Sequence, residues 1–448
     1  MAMLFIDRIF LAKYSASALN AAASSGTLAW SIDLAIVTLA SMSEVFVAQY
    51  NGAKHYQKLG EPVWQMIWLS IFSIIIFIPL GIWLSRLIYP FESSPGQEYQ
   101  YFQWMLFMGP LSVMQAAIGG FFIGQGKTYI IKWMGLLGNA VNIILDPIFI
   151  FGFGPIPSMG IVGAALATGI GVALQAFVLF LLFLQKHNQT HYGSNDWAFK
   201  PMVFWRCLKI GIPPAIFMSL ELMAWAMFYW MMGKVSAAHI FVASICQSIL
   251  MLFLFFGFGI EKGAAAVAGN LIGAGQLDKV VKVLKGGVLL CLGFFLFCLL
   301  PFLIFPDIII HWFVQNPKFL EDGGAGFSFF DVEQIKNLVK SGLVLISIYL
   351  FFENVRWLLS GILTSAGDTL FLMVSGSSCV WILMIIPSYF IILKQGYSVI
   401  YAFVIWVAYS IISVSLSLMR FFQGKWKEKH LLAEEAFDNS SDAASFIE

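Results

Sequence analysis

Three acidic residues lie in or beside apolar segments, where a charged side chain is costly. Glu221 and Glu353 stand inside long apolar runs, and Asp7 lies within the short apolar start of the chain. An ionised carboxylate at the bilayer centre costs at least about 2.5–3.5 kcal/mol on insertion scales, so such a group is neutral, paired or functional. Carboxylates that face a dry cavity bind cations strongly. We therefore predict that these three residues bind a cation or a cationic substrate.

Each acid also has a structural interpretation. Glu221 has no basic residue within one helical turn and could be a protonated carboxyl that hydrogen-bonds to a neighbouring helix. Arg356 lies three residues after Glu353 on the same helical face, so an intrahelical ion pair could neutralise both. Asp7 precedes Arg8 and could be an interfacial charge. The residues alone leave these alternatives open.

Other polar residues inside apolar runs could line a second cavity. Asn139, Asn142 and Asp146 follow one another at i, i+3 and i+7, on one face of a predicted helix. Asp33 lies in an earlier run without a nearby basic partner, and Arg356 belongs to the same set of buried polar groups. These groups could hydrate a pocket, or they could join helices by hydrogen bonds.

The chain lacks the motifs of common enzymes. It contains no G-x4-GK[ST], no H-E-x-x-H and no G-x-S-x-G, so we expect neither ATP hydrolysis nor another enzymatic activity. The five cysteines stand singly, with no C-x-x-C, which favours neither a disulfide framework nor a metal site. We expect no cofactor, and any transport must be driven by an ion gradient of Na+ or H+.

Composition identifies a polytopic membrane protein. Hydrophobic residues make up 60% of the chain and charged residues 11%, with a mean hydropathy of +0.85. Eleven apolar runs are long enough to cross a bilayer, which needs about 20 residues per helix. Residues 1–11 are apolar but about half that length, and we interpret them as the remnant of a truncated first helix. Lys and Arg concentrate on one side of the predicted topology, which puts the C-terminus in the cytoplasm and the protein in the plasma membrane (the bacterial inner membrane).

Two pairs of segments repeat along the chain. Residues 120–128 and 361–369 share the frame G-x5-G-[KD]-T at an offset of 241 residues, and residues 47–53 resemble residues 268–274 at an offset of 221. The polar stretch 314–336 accounts for the difference between the two offsets. Such internal repeats indicate a duplicated helical bundle, and duplicated membrane bundles are usually transporters.

We therefore predict an all-α membrane protein of twelve helices, arranged as a two-lobe bundle of six plus six with pseudo-two-fold symmetry and a cavity between the lobes. The predicted boundaries are residues 1–185 for the N-terminal lobe, 186–205 for a cytoplasmic linker, 206–422 for the C-terminal lobe and 423–448 for an acidic cytoplasmic tail.

Several motifs, by their order and spacing, resemble the multidrug and toxic compound extrusion (MATE) family, in particular its NorM-like branch. The resemblance runs from Asp7 to about Arg420 and rests on the segments 47–53, 124–128, 237–239 and 365–369. It implies that Glu221, eight residues after Pro213, and Glu353, eight residues before Gly361, are the coupling-cation and substrate carboxylates.

The same resemblance implies that Asp7 is a cavity acid, and that the coupling cation at Glu221 and Glu353 could be Na+. The chain departs from the family pattern in its short first helix, in Glu353 where Asp is usual, and in the positive charge of Arg356. Its sixth predicted helix also lacks an intramembrane acid, which weakens a proton mechanism confined to the N-terminal lobe.

We therefore hypothesise that the protein is a monomeric secondary antiporter that exports cationic or amphipathic small molecules in exchange for Na+ or H+. It is expected to contact the lipid bilayer and to bind no nucleic acid. The alternatives are a flippase for lipid-linked oligosaccharides and a non-transporting membrane protein. A flippase would need a basic cavity for pyrophosphate, whereas Arg356 and Lys262 are the bases well inside predicted spans.

Overall fold

The computed structural model describes residues 2–89, 96–305, 329–429 and 431–432, and these residues are almost entirely helical. The α-helices, numbered in chain order, are α1 Ala2–Tyr14, α2 Ala16–Ala40, α3 Ser43–Gly52, α4 Gly60–Pro79, α5 Ser85–Ile88, α6 Gln97–Gly124, α7 Thr128–Phe151, α8 Gly160–Phe183, α9 Lys186–Tyr192, α10 Pro201–Val235, α11 Ala237–Gly273, α12 Val280–Ile304, α13 Phe329–Ser365, α14 Thr369–Ser378, α15 Ile386–Ser388 and α16 Val399–Gln423. Turns of π-helix connect α4 to α5 and extend α14 through α15 as far as Lys394. No strand occurs in the described residues, where one isolated bridge pairs Phe153 with Ile156.

Eleven helical segments in the described residues are long and apolar enough to cross a membrane. They coincide with the eleven apolar runs of the sequence, which confirms the predicted multi-pass organisation. Helix α1 has 13 residues and a length of about 20 Å, short of the roughly 30 Å hydrocarbon core. It packs against α2, α7 and α8, and Asp7 is buried in this packing, whereas Arg8 and Lys13 are exposed.

The described chain forms two compact units. The first contains residues 1–219 together with residues 269–275, and the second contains residues 220–268 and the described residues from 276 onward. The division falls inside α10. The lobe boundaries predicted from the sequence stay a prediction, and most of the polar stretch 314–336 and of the tail 423–448 lies outside the described residues.

The predicted linker packs along α4 in the first unit. The indole Nε1 of Trp64 donates to the carbonyl of Ser194 at 2.8 Å, and the backbone N–H of Lys200 donates to Gln65 Oε1 at 2.9 Å. Side chains of α4 therefore satisfy backbone groups of a segment that has no regular structure of its own between α9 and α10.

The sequence repeats correspond to repeated local structure. Gly126 and Gly367 both adopt left-handed backbone conformations, with φ of +76° and +81°, between two helices. Only glycine adopts such angles without steric cost. The next residues, Lys127 and Asp368, have nearly the same angles, φ −84° and ψ 47° against φ −87° and ψ 41°. The backbone of the turn is thus conserved between the two copies, while the charge of its side chain is reversed.

The first glycine of each repeat allows an equivalent close helix contact. A Cβ at Gly120 would overlap Ser43 and approach the backbone N of Glu44, and a Cβ at Gly361 would overlap the backbone of Glu261 and approach the backbone N of Ala265. Glu44 and Ala265 are 221 residues apart, which is also the offset between the repeated segments 47–53 and 268–274. The repeats therefore share both a turn and the helix packing that precedes it.

Substituting the close-contact glycine in the second unit tests this packing. Gly361→Ala is expected to destabilise the protein by about 1–3 kcal/mol, because backbone atoms of α11 must move to admit the methyl group. Thermal unfolding of the purified protein in detergent measures the effect. Gly293→Ala in α12 is the matched control, because no atom lies within 4 Å of its added Cβ. Equal unfolding midpoints for the two variants would contradict the packing argument.

Candidate cation-binding sites

The first unit joins two carboxylates through neutral hydrogen-bond donors. Thr168 Oγ1 donates to Asp7 Oδ2 at 2.7 Å, and Asn142 Nδ2 lies 3.0 Å from Asp7 Oδ1 and 3.2 Å from Asp146 Oδ1. Asp7, on α1, and Asn142 and Asp146, on α7, are almost completely buried. Three helices thus contribute to one polar cluster, the Asp7 cluster, inside apolar packing.

Two acceptor atoms of the Asp7 cluster lack a donor. Asn142 Oδ1 and Asp146 Oδ2 are buried and have no hydrogen-bond partner among the described residues. Asp7 and Asp146 both accept from the same nitrogen of Asn142, so the two carboxylates lie close together. Two carboxylates so arranged cannot both remain ionised without a proton or another cation between them. The cluster therefore has the composition of a site for a small positive charge.

Two further predicted residues stand apart from this cluster. Asn139 directs its amide to the backbone carbonyl of Gly135, 2.6 Å away on its own helix. Asp33 lies on α2, and its buried Oδ1 has no hydrogen-bond partner among the described residues. Of the three residues in the i, i+3, i+7 pattern, Asn142 and Asp146 thus belong to the Asp7 cluster, and Asn139 does not. The contribution of α8 through Thr168 was missed, because a hydroxyl in an apolar helix gives little sequence signal.

The second unit joins its two carboxylates through a guanidinium group. Arg356 Nε lies 3.0 Å from each oxygen of Glu353, and Arg356 Nη2 also hydrogen-bonds to Glu353 Oε1. The same Nη2 lies 3.1 Å from Glu221 Oε1 on α10. All three side chains are buried, and we call them the Arg356 triad. The ion pair between Glu353 and Arg356, which their spacing predicted as one alternative, is present, and Arg356 also bonds to Glu221.

Aromatic side chains surround the Arg356 triad. Trp357 Nε1 donates to Glu353 Oε1 at 2.9 Å, and the hydroxyls of Tyr349 and Tyr409 lie 3.2 Å apart. The Trp406 ring meets Trp225 edge-on with centroids 4.8 Å apart. These aromatic residues were not predicted, although Tyr349 and Trp357 lie four residues before and after Glu353, and Trp225 lies four after Glu221. The i, i+4 rule could have identified them.

Some polar atoms in this aromatic region have no partner. Trp406 Nε1, Tyr229 Oη and Asn354 Nδ2 are buried and lack a hydrogen bond among the described residues. Unpaired buried polar groups are rare and costly, and they often mark a place for a ligand or a water molecule. The second unit therefore combines charged, aromatic and unsatisfied polar groups in one region.

The buried carboxylate of Asp368 lies outside both clusters and is paired with two cations. Arg420 donates to both oxygens of Asp368, at 2.6 and 3.0 Å, and Lys429 Nζ donates to Oδ1 at 2.6 Å. Burial alone would raise the pKa of Asp368, but the bonds from these two cations outweigh it and hold that pKa below its ordinary value. The turn after α13 is thus fixed to the end of α16 and to the segment after it.

The depressed pKa of Asp368 predicts a pH-dependent contribution to stability. The contribution is fully present above the unfolded-state pKa of about 3.9 and is lost as pH falls through the lower folded-state value. Asp368→Asn should therefore lower the unfolding midpoint at pH 7, and the difference from wild type should shrink below about pH 4.

Unfolding of both proteins from pH 7 down to pH 3 measures this difference. Asp196→Asn is the control, because Asp196 pairs with Lys200 at an exposed position, where an ion pair contributes little. A difference between wild type and Asp368→Asn that stays constant with pH would contradict the prediction.

Comparison with known proteins identifies relatives over nearly the whole chain. The family profile described as MatE matches residues 1–148 and 213–390. The "Probable multidrug resistance protein NorM" of Thermotoga maritima is 24% identical over 440 residues, which covers 96% of this chain and 90% of the relative. The "Probable multidrug resistance protein YoeA" of Bacillus subtilis is 23% identical over 410 residues, covering 88% and 83% of the two chains.

Solved structures show the same fold. The eukaryotic MATE transporter AtDTX14 matches with a TM-score of 0.77 and 18% identity, covering 95% of this chain and 92% of that one. A multidrug resistance MATE family transporter of the MOP superfamily, in an outward-facing conformation, matches with a TM-score of 0.76 and 17% identity over the same shares. The likeness confirms the predicted all-α membrane fold class.

Proposed function

This chain belongs to the MatE family, a family of membrane transporters, and we propose that it is a secondary antiporter that exports amphipathic organic cations in exchange for protons. The names of the multidrug-resistance relatives support export of drug-like compounds. The clusters of buried carboxylates support a cationic cargo and a small positively charged coupling ion.

The observation that carries the proposal is the Asp7 cluster. Its hydrogen bonds come from an amide and a hydroxyl, which are neutral, while two acceptor oxygens lack donors. A proton bound between Asp7 and Asp146 would satisfy one of these acceptors and would remove one negative charge from an apolar bundle. Na+ is the competing coupling ion, and it would need several oxygen ligands around it.

Glu221 and its aromatic neighbours are the proposed substrate region. The Arg356 triad carries two negative charges and one positive charge when ionised, so it keeps one net negative charge for a cationic substrate. Trp225, one helical turn after Glu221, belongs to a pair of contacting indoles, and the face of an aromatic ring attracts organic cations. Glu353 and Arg356 together add no net charge beside Glu221.

Coupling requires that each ligand favours one conformation over another. Proton binding at the Asp7 cluster and cation binding near Glu221 must therefore bias the same conformational equilibrium in opposite directions. A membrane potential contributes roughly 2.3 kcal/mol per charge per 100 mV to such a cycle. The proposal places the protein in the bacterial inner membrane as a monomer with its C-terminus in the cytoplasm.

The flippase alternative receives no support from the described residues. A pyrophosphate group needs positive charge that is not already neutralised, whereas Arg356 is bonded to two carboxylates. Transport of a small cation therefore remains the better proposal.

Ethidium export from everted vesicles or proteoliposomes tests the function under imposed H+ or Na+ gradients. We expect wild-type export with the H+ gradient. Asn142→Ala should reduce the initial rate at least about tenfold, because it removes the amide that joins both carboxylates and the loss of a hydrogen bond to a charged group is worth about 1.5–3 kcal/mol.

Asn139→Ala is the matched control on the same face of α7, because its amide bonds only to the backbone of its own helix in the described structure. Asn139→Ala should leave the export rate within about twofold of wild type, a smaller change than the loss of one neutral hydrogen bond would cause. Export driven by Na+ but not by H+ would overturn the choice of ion. Absence of export under both gradients would contradict the antiporter proposal.

A further inference from the structure

We propose that Arg356 is a tethered competitor for the transported cation, and that Glu353 holds most of this guanidinium, so that Glu221 receives a single bond from it. The inference rests on the proposed function and deepens it. It makes the two glutamates unequal: Glu221 exchanges the cation, and Glu353 is a positioning residue that stays paired. The substrate class that follows is a monovalent, lipophilic organic cation.

The hydrogen bonds of the Arg356 triad are unequal in number. Glu353 accepts from Nε and Nη2 of Arg356 and from Trp357 Nε1, so three donor atoms fix it. Glu221 accepts a single bond, from Arg356 Nη2 at 3.1 Å, within the described residues. Bonds that use two nitrogens of one guanidinium are stronger and more directional than a single one. The contact with Glu221 is therefore the one that a competing cation can replace.

The positions of the three residues in the chain support the same assignment. Glu353 and Arg356 lie one helical turn apart on α13, so their pair persists when neighbouring helices move. Glu221 lies on α10, two turns after Pro213 and Pro214, where helices commonly bend. A movement of α10 can thus separate Glu221 from the guanidinium without breaking the pair on α13.

The aromatic surroundings of Glu221 suit an organic cation better than a metal ion. Trp225 lies four residues further along the same helix face and contacts Trp406, whose buried Nε1 has no acceptor among the described residues. An organic cation that displaces Arg356 from Glu221 would also meet these indoles, and an acceptor group on it would satisfy the Trp406 N–H.

Equilibrium binding of radiolabelled tetraphenylphosphonium to purified protein in detergent, at fixed pH and without Na+, tests the proposal. Glu221→Gln should abolish measurable binding. Glu353→Gln should weaken binding at least about tenfold, because Arg356 would then neutralise Glu221 fully. A hydrogen bond to a charged group is worth about 1.5–3 kcal/mol, which corresponds to a change of this size.

The decisive variant is the double substitution Glu353→Gln with Arg356→Gln. It keeps the net charge of the triad and removes the competitor, so its affinity should return at least to the wild-type value. Removing both members of a buried ion pair is tolerated far better than removing one, which favours a folded protein. Its unfolding midpoint and its elution as a single species are measured alongside. Asp368→Asn is the control for loss of one carboxylate outside the triad, and it should bind as wild type does.

The outcomes separate this inference from the proposed function. If wild type binds tetraphenylphosphonium and the double variant stays as weak as Glu353→Gln, then Glu353 contacts the cation directly and the role of Arg356 is contradicted. If folded wild type and double variant both fail to bind, the export of organic cations is contradicted, and this inference with it.

Discussion

The cost of placing charge in a dry helical bundle is the constraint on which the rest of this structure depends. The buried carboxylates of each unit must be protonated, hydrogen-bonded or paired, because an isolated ionised group would oppose folding and insertion. The two units meet this constraint differently. The first uses an amide and a hydroxyl around Asp7 and Asp146, and the second uses the guanidinium of Arg356 between Glu221 and Glu353. The identity of the donor thus decides which positive charge each site can still accept.

Close helix packing is a second feature that the two units share. Gly120 and Gly361 admit equivalent backbone contacts within their own units, and the turns at Gly126 and Gly367 have matching conformations. Because packing without a Cβ depends on the backbone alone, the two copies could keep the same scaffold while their side chains diverged. The replacement of Lys127 in one copy by Asp368 in the other is such a divergence, and in the second unit the buried Asp368 forms ion pairs with Arg420 and Lys429.

Much of this organisation was predictable, since apolar length and glycine spacing are encoded locally. The eleven spans and the repeated glycine frame followed from the sequence, and so did the buried positions of Asp7, Glu221 and Glu353. Arg356, as a partner of Glu353, followed from their spacing, but the other partners of these acids did not. Glu221 and Arg356 are 135 residues apart and Asp7 and Thr168 are 161 apart, so only tertiary packing decides that they meet. Asn139 shows the opposite failure, because helical spacing placed it on the right face while its amide bonded to its own backbone.

The two kinds of cluster suit two kinds of cargo in the proposed cycle. A proton has no steric requirement and can be held between Asp7 and Asp146, which share the amide of Asn142, so a small site enclosed by α1, α7 and α8 is sufficient for it. An organic cation needs area, and it needs a carboxylate at the edge of an aromatic region, which Glu221 beside Trp225 provides. A fully ionised pair of glutamates would hold such a cation too firmly for release. With Arg356 present the net charge is that of one carboxylate, so binding and release can both occur within the few kcal/mol that an ion gradient supplies.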